Sequence, residues 1–232
     1  MKKNVFALWR TMMLVALVPV LSVGLVACEP ENVEEGSDED LSTTLPSGEA
    51  VDLGLSVKWA SCNVGATSPE EYGCYFAWGE TKTKISYTES NSVTYGLSTE
   101  ELESRGIIGS DGNLTAAYDA ATVNWGSSWR MPTSDEIKEL LNNCTWVRTS
   151  QNGVNGRKIT GPNGNSIFLP NAGCRLDTLL NSSGSGAFYW SATPDSDSSS
   201  DAYDLHFYLG VVVWGTYVNR SVGRSVRPVS VQ

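Results

Sequence analysis

Glycine-based turns are the feature that most limits what this chain can fold into. The sequence of 232 residues contains 22 glycines, and three Asn-Gly pairs follow one another at Asn152-Gly153, Asn155-Gly156 and Asn163-Gly164. An Asn-Gly pair favours the two-residue turn of an antiparallel hairpin, because both central residues need a positive φ. The pattern therefore predicts short strands over residues 145–149, 157–160 and 166–169, separated by these turns.

The best helix signal is a capping box at residues 133–136, read as TSDE. A Thr hydroxyl at the N-cap accepts from the backbone N–H three residues on, and the Glu there reaches back. Ile137, Leu140 and Leu141 then give an apolar stripe, and Asn142-Asn143 end the helix. Short helices beside many short strands predict an α+β domain, with the helices packed on a small antiparallel sheet and with long loops.

Composition narrows the classes of function. The net charge is -10 and the sequence pI is near 4.6, which argues against nucleic acid as a partner. The chain has one His, so His-based metal sites and Ser-His-Asp chemistry are improbable. We expect a binding or structural protein without a cofactor and without enzymatic activity.

The N-terminal segment has the pattern of a secretory signal. Basic residues precede an apolar run over residues 11–26, which is short for a membrane span and leads directly into acidic sequence. The run ends in Leu25-Val26-Ala27-Cys28, which resembles a bacterial lipobox. Residues 1–27 are therefore predicted to be a lipoprotein signal peptide, and Cys28 to carry the lipid. A plain secretory signal with a chance Cys is the alternative.

An acidic tether is predicted to follow the lipidated Cys. Seven of the twelve residues from 29 to 40 are Asp or Glu, so this segment cannot bury enough apolar area to fold. We expect residues 28–47 to be a disordered tether and residues 48–232 to be one folded domain. An acidic stretch at this place resembles the surface-export signal of Bacteroidetes-type lipoproteins. An outer-membrane lipoprotein exposed at the cell surface is expected, with a periplasm-facing tether as the alternative.

Four cysteines remain in the folded part, and none lies in a CxxC pair. An even number in an exported chain permits two disulfides, in three possible connectivities. Cys74 and Cys174 each lie beside Gly in an apolar, strand-like run, which favours a tentative Cys74–Cys174 disulfide. Buried free thiols are the competing interpretation.

The most informative pattern is a period-2 alternation near the C-terminus. Tyr203, Leu205 and Phe207 form one aromatic or aliphatic set, and the residues between them have mixed chemistry. Alternation places the two sets on opposite sides of a strand. The mixed set suits contact with a partner better than a core, and continues beyond the Leu209-Gly210 turn; its members are Asp204, His206, Tyr208, Val211, Val213 and Gly215.

Several motifs, in order, resemble one family. They are similar to a large paralogous family of Bacteroidetes lipoproteins related to the Fibrobacter succinogenes major paralogous domain. The motifs occupy residues 51–60 (VDLGLSVKWA), 63–66 (NVGA), 75–80 (YFAWGE), 129–133 (WRMPT) with Glu136, 189–191 (YWS) and 223–229 (GRSVRPV).

The resemblance implies a C-type-lectin-like fold, akin to the variable proteins of diversity-generating retroelements. In such proteins a fixed scaffold displays a variable C-terminal surface, here to a cell-surface protein or glycan ligand. The implied scaffold residues are Trp129, Arg130, Trp190 and Arg227. The implied ligand-binding positions are Asp204, His206, Tyr208, Val211, Val213 and Gly215, with Tyr217, Ser221 and Val222 beyond them.

Three alternatives remain open. A calcium-dependent glycan-binding lectin would need an oxygen cluster, for which Asp195, Asp197 and Asp201 are the candidates. An enzyme would need an activated thiol, for which Cys74 or Cys174 would serve, although no activating neighbour is evident. A structural surface or fimbria-like subunit would self-assemble and present no free ligand face.

Overall fold

A computed structural model describes Leu45 and residues 47–208, 211–214 and 218–231, without the side chains of residues 211–214 and 231. The described part contains one 3-10 turn at Glu89–Asn91 and the helices α1 (Thr99–Ser104), α2 (Ala120–Trp125) and α3 (Ser134–Asn143). Its strands are β1 (Ala50–Val51), β2 (Val57–Ala60), β3 (Tyr75–Phe76), β4 (Thr145–Gln151), β5 (Val154–Thr160), β6 (Ser166–Pro170), β7 (Cys174–Leu176), β8 (Leu179–Asn181), β9 (Gly186–Pro194), β10 (Asp201–Tyr208), β11 (Val211–Trp214), β12 (Val218–Asn219), β13 (Arg224–Ser225) and β14 (Val229–Val231).

Few helices and many strands in several small sheets make this an α+β fold, as predicted. The largest sheet has the order β11-β10-β9-β13-β3, with β12 paired to β10. Smaller sheets have the orders β1-β2-β14 and β4-β5-β6, and β7 pairs with β8. Because β14 pairs with β2, strands from the two ends of the domain share one sheet.

Helix α3 covers one side of the largest sheet. Its capping box forms as predicted, with the Thr133 hydroxyl accepting from the Glu136 N–H and Glu136 reaching back to Thr133. Ile137 and Leu140 are buried in one cluster with Tyr189, Leu205 and Phe207. The helix therefore covers the side of β9 and β10 that carries these three residues, and Trp190 on the other side of β9 belongs to a second buried cluster. No helix in the described residues is long and apolar enough to cross a membrane.

The Asn-Gly prediction is right at two pairs and wrong at one. Asn152-Gly153 makes the two-residue turn between β4 and β5, with φ of 49° and 82°. Asn163-Gly164 lies in the loop before β6, but Asn155-Gly156 lies inside β5. Gly156 is needed there because β6 passes close by, and an added Cβ would lie 2.5 Å from Cζ of Phe168.

Asparagine substitutions distinguish a glycine in a turn, Gly153, from a glycine in a packed strand, Gly156. Gly153 has open space around it and a φ that Asn tolerates, so Gly153→Asn should lower the free energy of unfolding by about 1 kcal/mol or less. Gly156→Asn forces a side chain against β6 and should lower it by about 1–3 kcal/mol. Urea unfolding of both variants measures the difference, and equal losses would contradict the assignment of Gly156 to a packed strand.

Candidate ligand-binding face

Phe188, His206 and Tyr208, which lie on the side of β9 and β10 that faces away from α3, form what we call the candidate face. The predicted alternation along β10 holds from Leu205 to Tyr208, because Leu205 and Phe207 are buried at 1% and 2% exposure, but it fails at Tyr203, which is only half-buried. On the other side, the His206 side chain is 19% exposed and Tyr208 is 41% exposed. The strand therefore presents a partly open edge of mixed polar and aromatic character.

Cross-strand packing fixes these rings. His206 is the register partner of Phe188, and the two rings stack with centroids 5.9 Å apart and planes 27° apart. Tyr208 is the register partner of Gly186, where an added Cβ would lie 2.7 Å from Cδ2 of Tyr208. Glycine at this position leaves room for the tyrosine ring over the neighbouring strand. Aromatic side chains held in this way offer contact area at a low entropic cost.

Asp204 is not part of the candidate face, and its prediction as a ligand contact is wrong. The residue is 1% exposed and lies opposite Trp190, where the sheet is covered. Its carboxylate forms an ion pair with Arg224 on β13, and its Oδ1 lies 3.2 Å from Nδ1 of His206. Alternation gives the side of a strand but not the depth of burial along it, so sequence could not separate Asp204 from His206.

Arg224 completes the support below the face. Its guanidinium lies between the rings of Phe188 and Trp190, at 5.0 and 4.8 Å from their centroids. Its Nε is buried without a hydrogen-bond partner. The positive charge of Arg224 is therefore balanced by Asp204 and by two aromatic rings. These contacts position Phe188 and, through it, His206.

The remaining predicted positions divide into four groups. Val213 and Val211 are register partners of His206 and Tyr208, which places both strand positions beside the candidate face. Ser221 is 2% exposed, so its prediction as a ligand contact is wrong: its N–H donates to Oδ1 of Asn219 in a tight turn next to buried Arg220. Val222 is half-buried. The positions outside the described residues are Gly215, Tyr217 and the lipidation site Cys28.

The tentative Cys74–Cys174 disulfide is wrong, because Cys174 is a free thiol. Cys62 and Cys144 are free as well. Cys74 and Cys174 lie in different surroundings: Cys74 is fully buried in a core cluster, whereas Cys174 begins β7 near Arg224 and Asp204. Burial raises the pKa of Cys174, opposed by Arg224, so the thiol is not set up as a nucleophile.

Two of the three carboxylates considered for calcium accept hydrogen bonds within their own loop. Oδ1 of Asp195 accepts from the Asp197 N–H at 2.9 Å, and Oδ2 of Asp201 accepts from the Ser198 hydroxyl at 2.8 Å. Among the described residues, no group of three or more His, Cys, Asp or Glu side chains is arranged to hold a metal ion. Hydrogen bonds within the loop therefore explain the positions of Asp195 and Asp201.

The residues expected to be scaffold are at least partly buried. Trp190 and Arg227 are 0% and 1% exposed, and Arg130 lies 2.5 Å from Glu136 in an ion pair, while Trp129 packs at the edge of the core. The sequence analysis missed Arg220, which is fully buried. Its guanidinium donates to carbonyls of Thr94, Leu97, Ser198, Ser199 and Asp201. Its sequence signal is that no other Lys or Arg occurs in residues 191–223.

Comparison of the chain with protein-family models, with curated proteins and with solved structures finds no match. The interpretation of the candidate face therefore depends on its geometry and on its residues.

Removing the Asp204 charge should destabilise the fold rather than only change the surface. Asp204→Asn leaves Arg224 as a buried cation without its counter-ion, which should lower the free energy of unfolding by about 3–5 kcal/mol. Denaturant unfolding measures the loss, and Asp197→Asn in the surface loop is the control. A loss as small as the control's would show that Asp204 does not support the face.

Proposed function

We propose that this chain is a surface-anchored, non-catalytic lipoprotein that displays a ligand-binding face on a C-type-lectin-like scaffold. The observation that carries the proposal is the contrast between partly exposed His206 and Tyr208 and the buried Asp204–Arg224 pair below them. His206 and Tyr208 can bind a partner while the Asp204–Arg224 pair keeps the strands of the scaffold in place. The ligand that suits such a face is a cell-surface protein or a glycan.

The C-type-lectin-like assignment is supported by the places that the motif residues take. The WRMPT segment leads into the capped helix α3, and the SVRPV segment joins β13 to β14. Arg227 is fully buried and donates to the Ala60 and Phe168 carbonyls, which ties the C-terminal motif to the N-terminal one. The residues of these motifs thus lie in the scaffold, and none of them is one of the three side chains of the candidate face.

The anchor in this proposal comes from the sequence. Residues 1–27 serve as the signal peptide, Cys28 takes the lipid, and the acidic segment to residue 47 holds the domain away from the membrane. Two acyl chains or more give stable attachment, and the tether leaves the candidate face accessible to ligands.

The exposed rings of the face provide the test. The double variant His206→Ala/Tyr208→Ala should lose binding to a printed array of glycans and cell-surface proteins, because the main contact area is gone. Its free energy of unfolding should fall by only about 1–2 kcal/mol, since one aromatic pair is lost. Fluorescence of the labelled full chain on the array measures binding, and denaturant unfolding measures stability.

Val123→Ala is the matched control, because Val123 is 48% exposed on α2 and lies outside the face. It should bind as the unchanged chain does. The proposal is contradicted if the unchanged chain binds nothing on the array, or if the double variant binds as well as the control.

A structural surface subunit is the second candidate, and one observation favours it. The hairpin of β7 and β8 exposes three leucines, with exposure of 55% at Leu176, 65% at Leu179 and 40% at Leu180. An exposed apolar patch of this kind marks a contact surface. Sedimentation of the full chain separates the two functions: a subunit forms assemblies that Leu179→Ser disrupts, whereas a displayed binder remains monomeric.

A further inference from the structure

A pocket of about 270 Å³ opens beside the candidate face, where the β4–β5 hairpin meets the end of β10. Two arginines and no carboxylate line it, although the chain as a whole has a net charge of -10. The lining residues are Arg148, Gly156, Arg157, Asn171, Gly184, Ser185, Phe207 and Tyr208. The pocket thus concentrates positive charge in an otherwise acidic protein.

Arg157 is the unusual member of this lining. The residue is only 8% exposed, and its guanidinium lies 5.3 Å above the ring centroid of Phe207. No hydrogen bond or ion pair joins its guanidinium to any other residue that the structure describes. A guanidinium has five N–H donors, and none of those of Arg157 is a buried atom without a partner, so they reach the solvent in the pocket. The Phe207 ring covers one face of the Arg157 guanidinium. The N–H donors at the edge of the guanidinium remain available to a ligand.

Arg148 adds a second positive charge at the same place. It is the direct register partner of Arg157 across β4 and β5, and its side chain is exposed. Like charges directly opposite one another destabilise a sheet. Burial lowers the pKa of Arg157, and Arg148 lowers it further. An anion between the two side chains would offset the repulsion between them and accept from the N–H donors of Arg157.

We propose that this pocket binds an oxyanion group, a carboxylate or a sulfate, of a small acidic ligand. Arg157 supplies a fixed, planar set of donors, and Arg148 closes over the anion from the rim. Phe207 forms the floor below Arg157, and Tyr208 lies at the edge that the pocket shares with the candidate face. The proposal does not depend on the function proposed above, since it concerns charge in the pocket and not the rings of His206 and Phe188.

The probes are inorganic sulfate and glucuronate, with uncharged glucose for comparison, at constant ionic strength so that screening does not change. Titration of the full chain, followed by the arginine Nε–Hε signals in NMR, should give saturable shifts with sulfate, glucuronate or both, and none with glucose. Response to glucuronate alone identifies a carboxylated ligand, and response to sulfate alone a sulfated one.

Arg148→Gln should weaken the binding of the responsive probe about tenfold, because one charge-assisted contact is lost. Arg148 is exposed, so this variant folds even if Arg157→Lys does not. Arg157→Lys keeps the charge but loses the planar donors, and should weaken binding as well.

Arg105→Gln is the control for the change in net charge, because Arg105 is an exposed arginine at the end of α1. His206→Ala should leave probe binding unchanged, which separates this proposal from the function of the candidate face. The proposal is overturned if no probe gives a saturable shift, or if Arg148→Gln and Arg105→Gln weaken binding equally.

Discussion

The buried ion pair between Asp204 and Arg224 is the interaction on which the candidate face depends. It joins the middle of β10 to β13, and the Arg224 guanidinium lies 5.0 and 4.8 Å from the ring centroids of Phe188 and Trp190. An ion pair at this depth specifies one arrangement of the strands, because either partner alone would be an uncompensated buried charge. Arg224 contacts the ring of Phe188, and that ring stacks on His206. The ion pair therefore determines the geometry of the candidate face.

Under the proposed function, the two sides of the largest sheet would have different tasks, one in stability and the other in recognition. The α3 side buries Tyr189, Leu205 and Phe207 and holds the domain together. On the opposite side, Trp190 and Asp204 are buried, whereas His206 and Tyr208, which lie nearer the end of β10, are partly exposed. We expect substitutions of His206 and Tyr208 to cost little stability, because Leu205 and Phe207 make the core contacts at this end of β10. The arginine-lined pocket at Tyr208 extends this division, since it combines an aromatic edge with a buried charge.

Sequence predicted those features that depend on neighbouring residues. The capping box at Thr133 and the turn at Asn152-Gly153 are local, and both form as expected. Sequence did not predict features that depend on distant residues. Asn155-Gly156 has the same letters as a turn, but the close approach of Phe168 shows that Gly156 belongs to a packed strand. The burial of Asp204 depends on Arg224, and the pocket needs Arg148, Arg157 and Phe207 from separate strands.

The most direct test compares two libraries of the full chain under protease challenge. One library randomises positions 206, 208, 211 and 213, and the other randomises Trp190, Asp204 and Arg224. If the scaffold does not depend on the displayed residues, most members of the first library resist proteolysis as the unchanged chain does, and few members of the second survive. Equal losses in the two libraries would show that the displayed residues belong to the core, which would contradict this account.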